Sequence, residues 1–574
     1  MSSSKPGLFA REATGLVREI GFSVGVIIIL SHVVGLGWQK RAFQFSGPMP
    51  MPTDAMPLGL PAMFWAFLVV GLVVLVTGYA AGYVAAAMPR SGGGYVTVSR
   101  IIHPSVGYMA GWLMFLAEAF SYGLIGVAVF EGIGIFFNIA LASPGTATPG
   151  WLTAMGDPAT IFVGGLLLVW IFALVALLGT KMYGRLMQVL FYIPAAITVL
   201  FFAMWIAGVL NPQVVIDGFT KVTGASPDVY TSTSLATGMA DNPAGFFDAF
   251  SFALGGAFWA YMGWYATTFL AGEVKEANKK LPRVLLVAGL VIIVIYLAAS
   301  SLSAFSVMNV GVATDTVGGH TWSLFQSYGW LSYGPQAAKD AAAAAIPNFQ
   351  TAWSTGIATI IAQGMGLGWL AVIIAIGAVF WVANDIPPFL LVASRTFFAM
   401  SFDRMMPEKF SYVSERWHAP VWSLIITAVF AIPACMAEAN FPAGAATTLA
   451  FAGVVGTDIF DATFLLMFCV SCLLLPLERR DIYDRAAVKH SVGTVVILGL
   501  LATLGAGFCL YIFIQQSPWI WSLFTSSASY SDIASSVGFL ACIAAGVLLY
   551  VYHMYKNSTR GVDMRTLYIA IPPE

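Results

Sequence analysis

The stretch Ile20-Gly21-Phe22-Ser23-Val24-Gly25-Val26-Ile27-Ile28-Ile29-Leu30-Ser31-His32-Val33-Val34-Gly35-Leu36-Gly37-Trp38-Gln39-Lys40-Arg41-Ala42-Phe43 decides how the chain is read. Its first half is an apolar helix. Val33 to Trp38, with two glycines, then interrupts the helix before Lys40 and Arg41 close the run. Inside a bilayer the freed N–H and C=O groups of such a break need partners other than lipid, because an unsatisfied backbone group in hydrocarbon costs several kcal/mol. A bound substrate or ion is one such partner, and glycine lets it sit directly on the backbone. Close helix packing at a small-residue face is the other reading of the same spacing.

Composition fixes the class. Of 574 residues, 59% are hydrophobic and 9% charged, against roughly 25% charged in a soluble domain. The chain is an all-α polytopic membrane protein whose surroundings are the lipid bilayer. A net charge of −1 and the lack of a basic run exclude a nucleic-acid partner. Cys435, Cys469, Cys472, Cys509 and Cys542 read as small hydrophobes, with no disulfide or redox pattern. The N-terminus shows no cleavable signal, so the first span is expected to act as an uncleaved anchor.

Apolar runs near 18–38, 61–87, 105–141, 159–180, 186–210, 245–272, 284–308, 366–400, 419–436, 445–475, 491–514 and 533–555 predict twelve transmembrane helices. On that layout 22 of the 26 Lys and Arg residues fall on the N-terminal side, and Lys40, Arg41, Lys221 and Lys339 on the other. Both termini are therefore expected in the cytoplasm of a multi-pass plasma-membrane protein. The long connections 211–244 and 309–352 fall outside, and Lys339 to Ala345 suits a short surface helix.

The sixth span repeats the oddity of the first. Gly255-Gly256 precedes Phe258-Trp259-Ala260-Tyr261-Met262-Gly263-Trp264-Tyr265, which predicts a second loosened helix five spans later. That offset is the mark of a 5+5 inverted repeat with discontinuous helices one and six, followed by two extra helices. The resulting organisation is a segment 1–17, a first repeat 18–210, an outer loop 211–244, a second repeat 245–475 containing the loop 309–352, two further spans in 476–556 and a tail 557–574.

Three segments then carry a resemblance to a family. Met88-Pro89-Arg90-Ser91-Gly92-Gly93-Gly94-Tyr95-Val96 follows span two; Phe269-Leu270-Ala271-Gly272-Glu273-Val274-Lys275, with Leu281-Pro282-Arg283, leaves span six. Ser394-Arg395-Thr396-Phe397-Phe398-Ala399-Met400-Ser401-Phe402-Asp403 ends span eight. Together they resemble the signatures of the amino acid–polyamine–organocation superfamily of permeases, over roughly residues 18 to 475. The resemblance implies a leucine-transporter-type fold and a secondary active transporter of an amino acid or related amine. Alternatives of the same fold are an exchanger without ion coupling and a sensor that binds without transporting.

By that resemblance Val34, Gly35, Leu36 and Gly37 match the unwound turn that holds a substrate carboxylate. A helix N-terminus suits an anion on electrostatic grounds as well. Trp259 matches an aromatic gate, with Ala260, Tyr261, Met262 and Gly263 beneath it and Phe389 across from it. Met114, Ala117, Glu118 and Tyr122 would form the stripe on span three. Asp385, in Val382-Ala383-Asn384-Asp385-Ile386-Pro387-Pro388, is expected to carry the coupling cation, with Asn384, Ser31 and the carbonyl of Val34 as oxygen ligands. Na⁺ or H⁺ would serve there equally, and no other cofactor is implied. His32 is a further proton carrier or a hydrogen-bonded spacer, and Glu118 holds a substrate amine, carries a proton or pairs with His32 as buried structure. Asp458 and Asp461, one turn apart, would line an outer vestibule. Two departures weaken analogy for the substrate: Leu186 to Tyr192 lacks a lysine, and Trp264-Tyr265 stands where relatives place Glu.

No His-Glu-x-x-His, Gly-x-Ser-x-Gly or Cys/His cluster is present, which argues against an enzyme. Nor is there a filter-like repeat of the kind an ion channel uses.

Overall fold

The computed structural model describes residues 8–142, 149–525 and 527–573. The first seven residues of the 1–17 segment and the last of the 557–574 tail lie outside the described residues. The chain is an all-α membrane protein; the only strands among the described residues are Ala313–Thr314 and Thr321–Trp322, an antiparallel pair in the connection 309–352.

The long helices are α1 (Phe22–Val33), α2 (Ala62–Ala87), α3 (Pro104–Ala140), α4 (Pro158–Ala176), α5 (Thr180–Leu210) and α6 (Phe246–Tyr261). They continue with α7 (Ala277–Met308), α8 (Gly368–Phe402), α9 (Val421–Phe430, continued by Ile432–Ala439), α10 (Val454–Glu478), α11 (Val492–Gln515) and α12 (Tyr530–Thr559). Eleven stretches among the described residues are long and apolar enough to cross a membrane, the first of them running from Phe22 to Gln44 across its break. The sixteen residues of α6 fall short of that length because the helix stops at Tyr261.

Local chemistry sets several helix starts. Pro104 and Pro158 occupy first-turn positions where a missing N–H costs nothing, and Asp157 accepts from the Thr160 amide at 2.9 Å. Ser529 and Asp532 form a reciprocal capping box at α12. The tenth span starts later than the apolar run suggests: Ala445–Thr448 and Ala450–Ala452 are separate short turns, and α10 begins after Gly453.

Burial shows where the centre lies. Almost the whole of α3 is enclosed, packed on α8, α10 and α4, whereas α4, α5, α11 and α12 keep one bare apolar side. Leu167, Val199, Val294, Leu504 and Leu548 are all more than half exposed. In water such a belt would be a large sticky patch; against hydrocarbon it is matched to its solvent. The connections 211–244 and 309–352 hold short helices, among them Pro212–Thr223, Pro227–Ala236, the largely buried Leu324–Tyr333 and Gln336–Ala345.

Lys40 and Arg41 do not close the first span as the sequence suggests. The helix resumes as a π-turn over Gly37–Arg41 and runs to Gln44, with both cations buried. They tolerate burial because carboxylates lie against them, the usual condition for a charge taken out of water.

Candidate functional site

Helix α1 comes apart over Val34 to Leu36, where Val34 has φ −89° and ψ 80°, outside helical values. Several of the freed backbone groups are taken up by the protein itself. Val34 N–H donates to Leu30 O at 2.8 Å and Gly35 N–H to Val33 O at 3.1 Å. Leu36 N–H donates to the carboxylate of Asp385 on α8 at 3.0 Å. The Gly35 carbonyl accepts from the side-chain amide of Gln39 at 2.9 Å, and Gln39 in turn accepts from Thr355 at 2.6 Å. Glycine at 35 is required by contact, since a Cβ there would overlap both Asp385 carboxylate oxygens.

Helix α6 ends differently. Gly263 takes φ +88°, which an L side chain rarely adopts, and the His32 ring occupies the space where its Cβ would be. Only short 3₁₀ turns follow, Ala266–Phe269 and Ala271–Glu273, before α7. The hydroxyl of Tyr265, just past the break, is hydrogen-bonded to Asp461 on α10.

The two interruptions face each other. A Cβ on Gly37 would come within 2.6 Å of Ala260 Cα. The Tyr296 hydroxyl on α7 lies 2.5 Å from the Val33 carbonyl and 2.6 Å from that of Ala260. Carrying one proton, it donates to one and sits beside the other, which ties the ends of the two broken helices to a single group. Tyr296 sits in the apolar run Val284 to Ala299, and nothing in the local sequence marks it.

Beside this junction lies a narrow cavity of about 10 Å³, room for roughly one water. Of the residues expected at the site, His32, Trp259, Ala260, Asp385 and Phe389 line it, with Met262. Ser121, Thr457, Asp458 and Asp461 line it too. The last two sit here at the centre rather than in an outer vestibule, because α10 packs against α3 and the break in α6.

Other expected residues have different surroundings. Glu118 is buried with an oxygen 3.4 Å from His32 Nε2, and Met114 lies under the Tyr265 hydroxyl at 3.9 Å. Tyr122 turns its hydroxyl to the Val169 carbonyl of α4 at 2.5 Å, and Tyr261 to the Phe67 carbonyl of α2 at 3.1 Å. Ala117 packs in an apolar cluster with Phe115 and Phe397. Ser31 Oγ, both polar atoms of Asn384, one oxygen of Asp385 and one of Glu118 are buried without a hydrogen-bond partner. Ser31, Asn384 and Asp385 thus retain unused oxygen atoms of the kind a hard cation takes.

The two sides of the junction are closed by different means. On the side away from the N-terminus, Lys40 Nζ lies 2.5 Å from Glu131 and 3.1 Å from Glu438. Arg41 reaches Gln44 at 2.5 Å and Glu438 at 3.5 Å, and its guanidinium stacks 4.5 Å over the Trp259 ring. Nothing in the sequence paired Glu131 or Glu438 with these cations.

On the N-terminal side the signature segments assemble. Ile20 N–H donates to Glu273 O at 3.0 Å and Lys275 N–H to Ile20 O at 2.8 Å, so the entry of α1 is strapped to the exit of the sixth segment. Gly92 N–H donates to Phe269 O at 2.8 Å. Arg395 grips Glu273 with two hydrogen bonds of 3.0 and 3.2 Å, and Arg100 grips Asp403 with bonds of 2.5 and 2.8 Å. Glu273, which reads as a charged helix end, is thereby fully buried. Next to this strap, between Ile20, Val24, Ile28, Tyr183, Met187 and Leu391, a larger cavity of about 210 Å³ opens.

Two interrupted helices meeting beside a buried polar cavity, inside a bundle with a lipid-facing belt, define a membrane permease. The chain belongs to the amino acid permease family, which matches residues 20–528. It is 22% identical over 550 residues to the branched-chain amino acid permease BcaP of Bacillus subtilis (strain 168), covering 95% of this chain and 94% of that one. BcaP of Lactococcus lactis subsp. cremoris (strain MG1363) is 23% identical over 538 residues, 92% of this chain and 93% of its own. The serine/threonine exchanger SteT of Bacillus subtilis (strain 168) is 23% identical over 293 residues. That match spans 50% of this chain and about half, 54%, of the exchanger. The protein is a multi-pass membrane permease and not an enzyme.

Proposed function

We propose that the protein is a secondary active transporter that moves an amino acid or related amine across the plasma membrane by alternating access. Both termini are cytoplasmic in this reading, and the spans form twelve helices with a 5+5 inverted repeat. The observation that carries it is the meeting of the two breaks, with the Tyr296 hydroxyl between the Val33 and Ala260 carbonyls and the cavity alongside. Helix ends that abut through a few hydrogen bonds can separate without unravelling either helix, which is what a site opened to alternate sides needs. The Lys40–Arg41–Glu131–Glu438–Trp259 cluster would be the outer seal, and the Ile20–Glu273–Lys275 strap the inner one.

Asp385 is the proposed coupling residue. One carboxylate oxygen holds Leu36 N–H, while the other is free to take a proton or to bind Na⁺ with nearby oxygens. Reconstituted protein should accumulate substrate when a H⁺ or Na⁺ gradient is imposed, and Asp385→Asn should lose that accumulation. Gradient-driven uptake by the variant at the wild-type level rules the assignment out. Exchange without an ion is the second reading, favoured by the partial match to a serine/threonine exchanger; it predicts uptake only into vesicles preloaded with substrate. Binding with no flux under either condition would identify a sensor.

A further inference from the structure

Helix α12 is followed by a segment that folds back onto the bundle. Thr559 ends the helix, Gly561 turns the chain at φ +76°, and Asp563 caps a short helix, Met564–Ile569, by accepting from the amides of Arg565 and Thr566. The last carbonyls of a helix have no partner within it. Here three arginines from three separate elements supply donors to the carbonyls at the end of the short helix and just beyond it. Arg479, at the end of α10, donates to Ile569 O at 3.3 Å, and Arg100, in the helix Gly93–Ile101, to Ala570 O at 3.5 Å. Arg90, in the exit of α2, donates to Pro572 O at 2.6 Å.

Two side chains complete the seat. Leu567 is fully buried and Tyr568 nearly so, with its ring 5.3 Å from the Arg100 guanidinium, whereas Arg565, Thr566 and Ile569 stay exposed. A segment anchored by so few groups can leave as a unit while the spans stay folded.

The groups it holds lead to the far side of the strap. Arg100 also grips Asp403 at the end of α8, and its carbonyl accepts from Arg479 at 3.1 Å. Arg90 precedes Ser91 and Gly92, which pair with Leu270 and Phe269 in the exit of the sixth segment. That exit carries Glu273 and Lys275, whose backbone straps the entry of α1 beside the cavity of about 210 Å³. One series of contacts thus runs from the tail through Arg90 and Ser91-Gly92 to Ile20, and a second ties the tail to α10.

We propose that residues 564–573 are an intramolecular brake. While they are docked, the segment 88–101 stays fixed to the end of α10 and the strap beside the cavity stays shut; the inner side opens once they lift off, an order-to-disorder step of a kind that switches other proteins. The inference rests on the permease reading for its inner seal, yet the two can fail separately.

Gln188, which lines the cavity, is replaced by Cys, and its rate of labelling by a maleimide is read on the purified full-length protein, with the protein lacking that substitution as background. Ending the chain after Asp563, or Leu567→Asp in the full chain, should raise that rate about three-fold or more, as removal of a contact made only in the closed state shifts the balance toward the open one. Initial uptake of L-leucine or L-serine after reconstitution should rise with it. A free peptide of residues 562–573 should restore the unaltered rates at about millimolar concentration, the effective concentration that a short tether gives a linked segment. Labelling that does not rise, or that rises and is not reversed by the peptide, overturns the brake. Hydrogen exchange tests the same order of events in the unaltered protein, where no variant has to fold. The strap amides of Ile20 and Lys275 should open no faster than the tail amides of Leu567 and Ala570; strap exchange beneath a protected tail overturns the inference. Raised labelling with no flux in any form would sink the permease reading and leave the brake standing. Flux that ignores the tail, with labelling unchanged, would do the reverse.

Discussion

The breaks in α1 and α6 solve one problem by opposite means. In α1 the backbone stays near ordinary geometry, the gap is short, and a side chain from another helix supplies the missing acceptor: Asp385 takes Leu36 N–H. In α6 the backbone does the work itself. Gly263 turns into the left-handed region at φ +88° and α-helix does not resume until Ala277. A break made by a tertiary contact can be altered by changing the partner, whereas one made by backbone geometry is tied to its glycine.

The sharpest way to break this contrast is Gly263→Ala. The left-handed backbone penalises a Cβ by roughly 1–2 kcal/mol, and the His32 ring stands in its way, an overpacking that costs about 1–3 kcal/mol more. We expect transport to be lost and the thermal midpoint of the purified protein to fall by several degrees. An unchanged midpoint would show that the turn is not held where the structure places it.

Gly35→Ala probes the other break. There the three atoms nearest the added methyl all belong to the Asp385 carboxylate, so its cost, about 1–3 kcal/mol, should come chiefly from that clash. Combined with Asp385→Ala the clash vanishes, and the double variant should unfold at a higher temperature than the two single effects predict by addition. Simple additivity in a double-mutant cycle would mean that Asp385 does not sit over the break. The same combination offers Gly263→Ala no relief.

The smallest effect belongs to a region remote from both breaks. In the hairpin of the connection 309–352 Asp315 accepts from the Trp322 indole at 2.6 Å and from the amides of Val317, Gly318 and Gly319. The indole bond first, and the amides after it, hold its carboxyl below the usual value. A depressed folded pKa means the contribution is complete above the unfolded value of about 3.9 and is lost as pH falls through the lower folded one. Hydrogen exchange of amides 317–319 should therefore stay slow, relative to the intrinsic rate, from neutral pH to about pH 4 and lose protection below it. Loss of protection already near pH 6 would contradict the geometry.

How much of this was legible beforehand differs from element to element. The apolar runs announced the helices because a bilayer demands some twenty apolar residues in a row, and Gly35, Gly37 and Gly263 announced the breaks because little else permits them. His32, Trp259, Asp385 and Phe389 are legible in the sequence as site residues, and all four line the cavity. Tyr296 and Gln39 carry no sequence signal, and Asp458 and Asp461 read as outer-vestibule residues, since a polar residue in an apolar span does not reveal which neighbour it will face. Lys40 and Arg41 look like a helix end because a pair of cations after an apolar run ordinarily marks the water interface, whereas both are buried within the continuing helix.

By itself the sequence determined the membrane class, the placement of most spans, the position of both interruptions and the family signatures. All of these follow from the local order of residues and from a solvent that punishes exposed polar groups. The tertiary structure alone decided what each interruption is bonded to: that Asp385 rather than a ligand meets Leu36, that Tyr296 bridges Val33 and Ala260, and that Glu131 and Glu438 shelter Lys40 and Arg41. These partners lie tens to hundreds of residues apart, and only the packing of one helix against another brings such groups within the 3 Å or so at which a hydrogen bond forms.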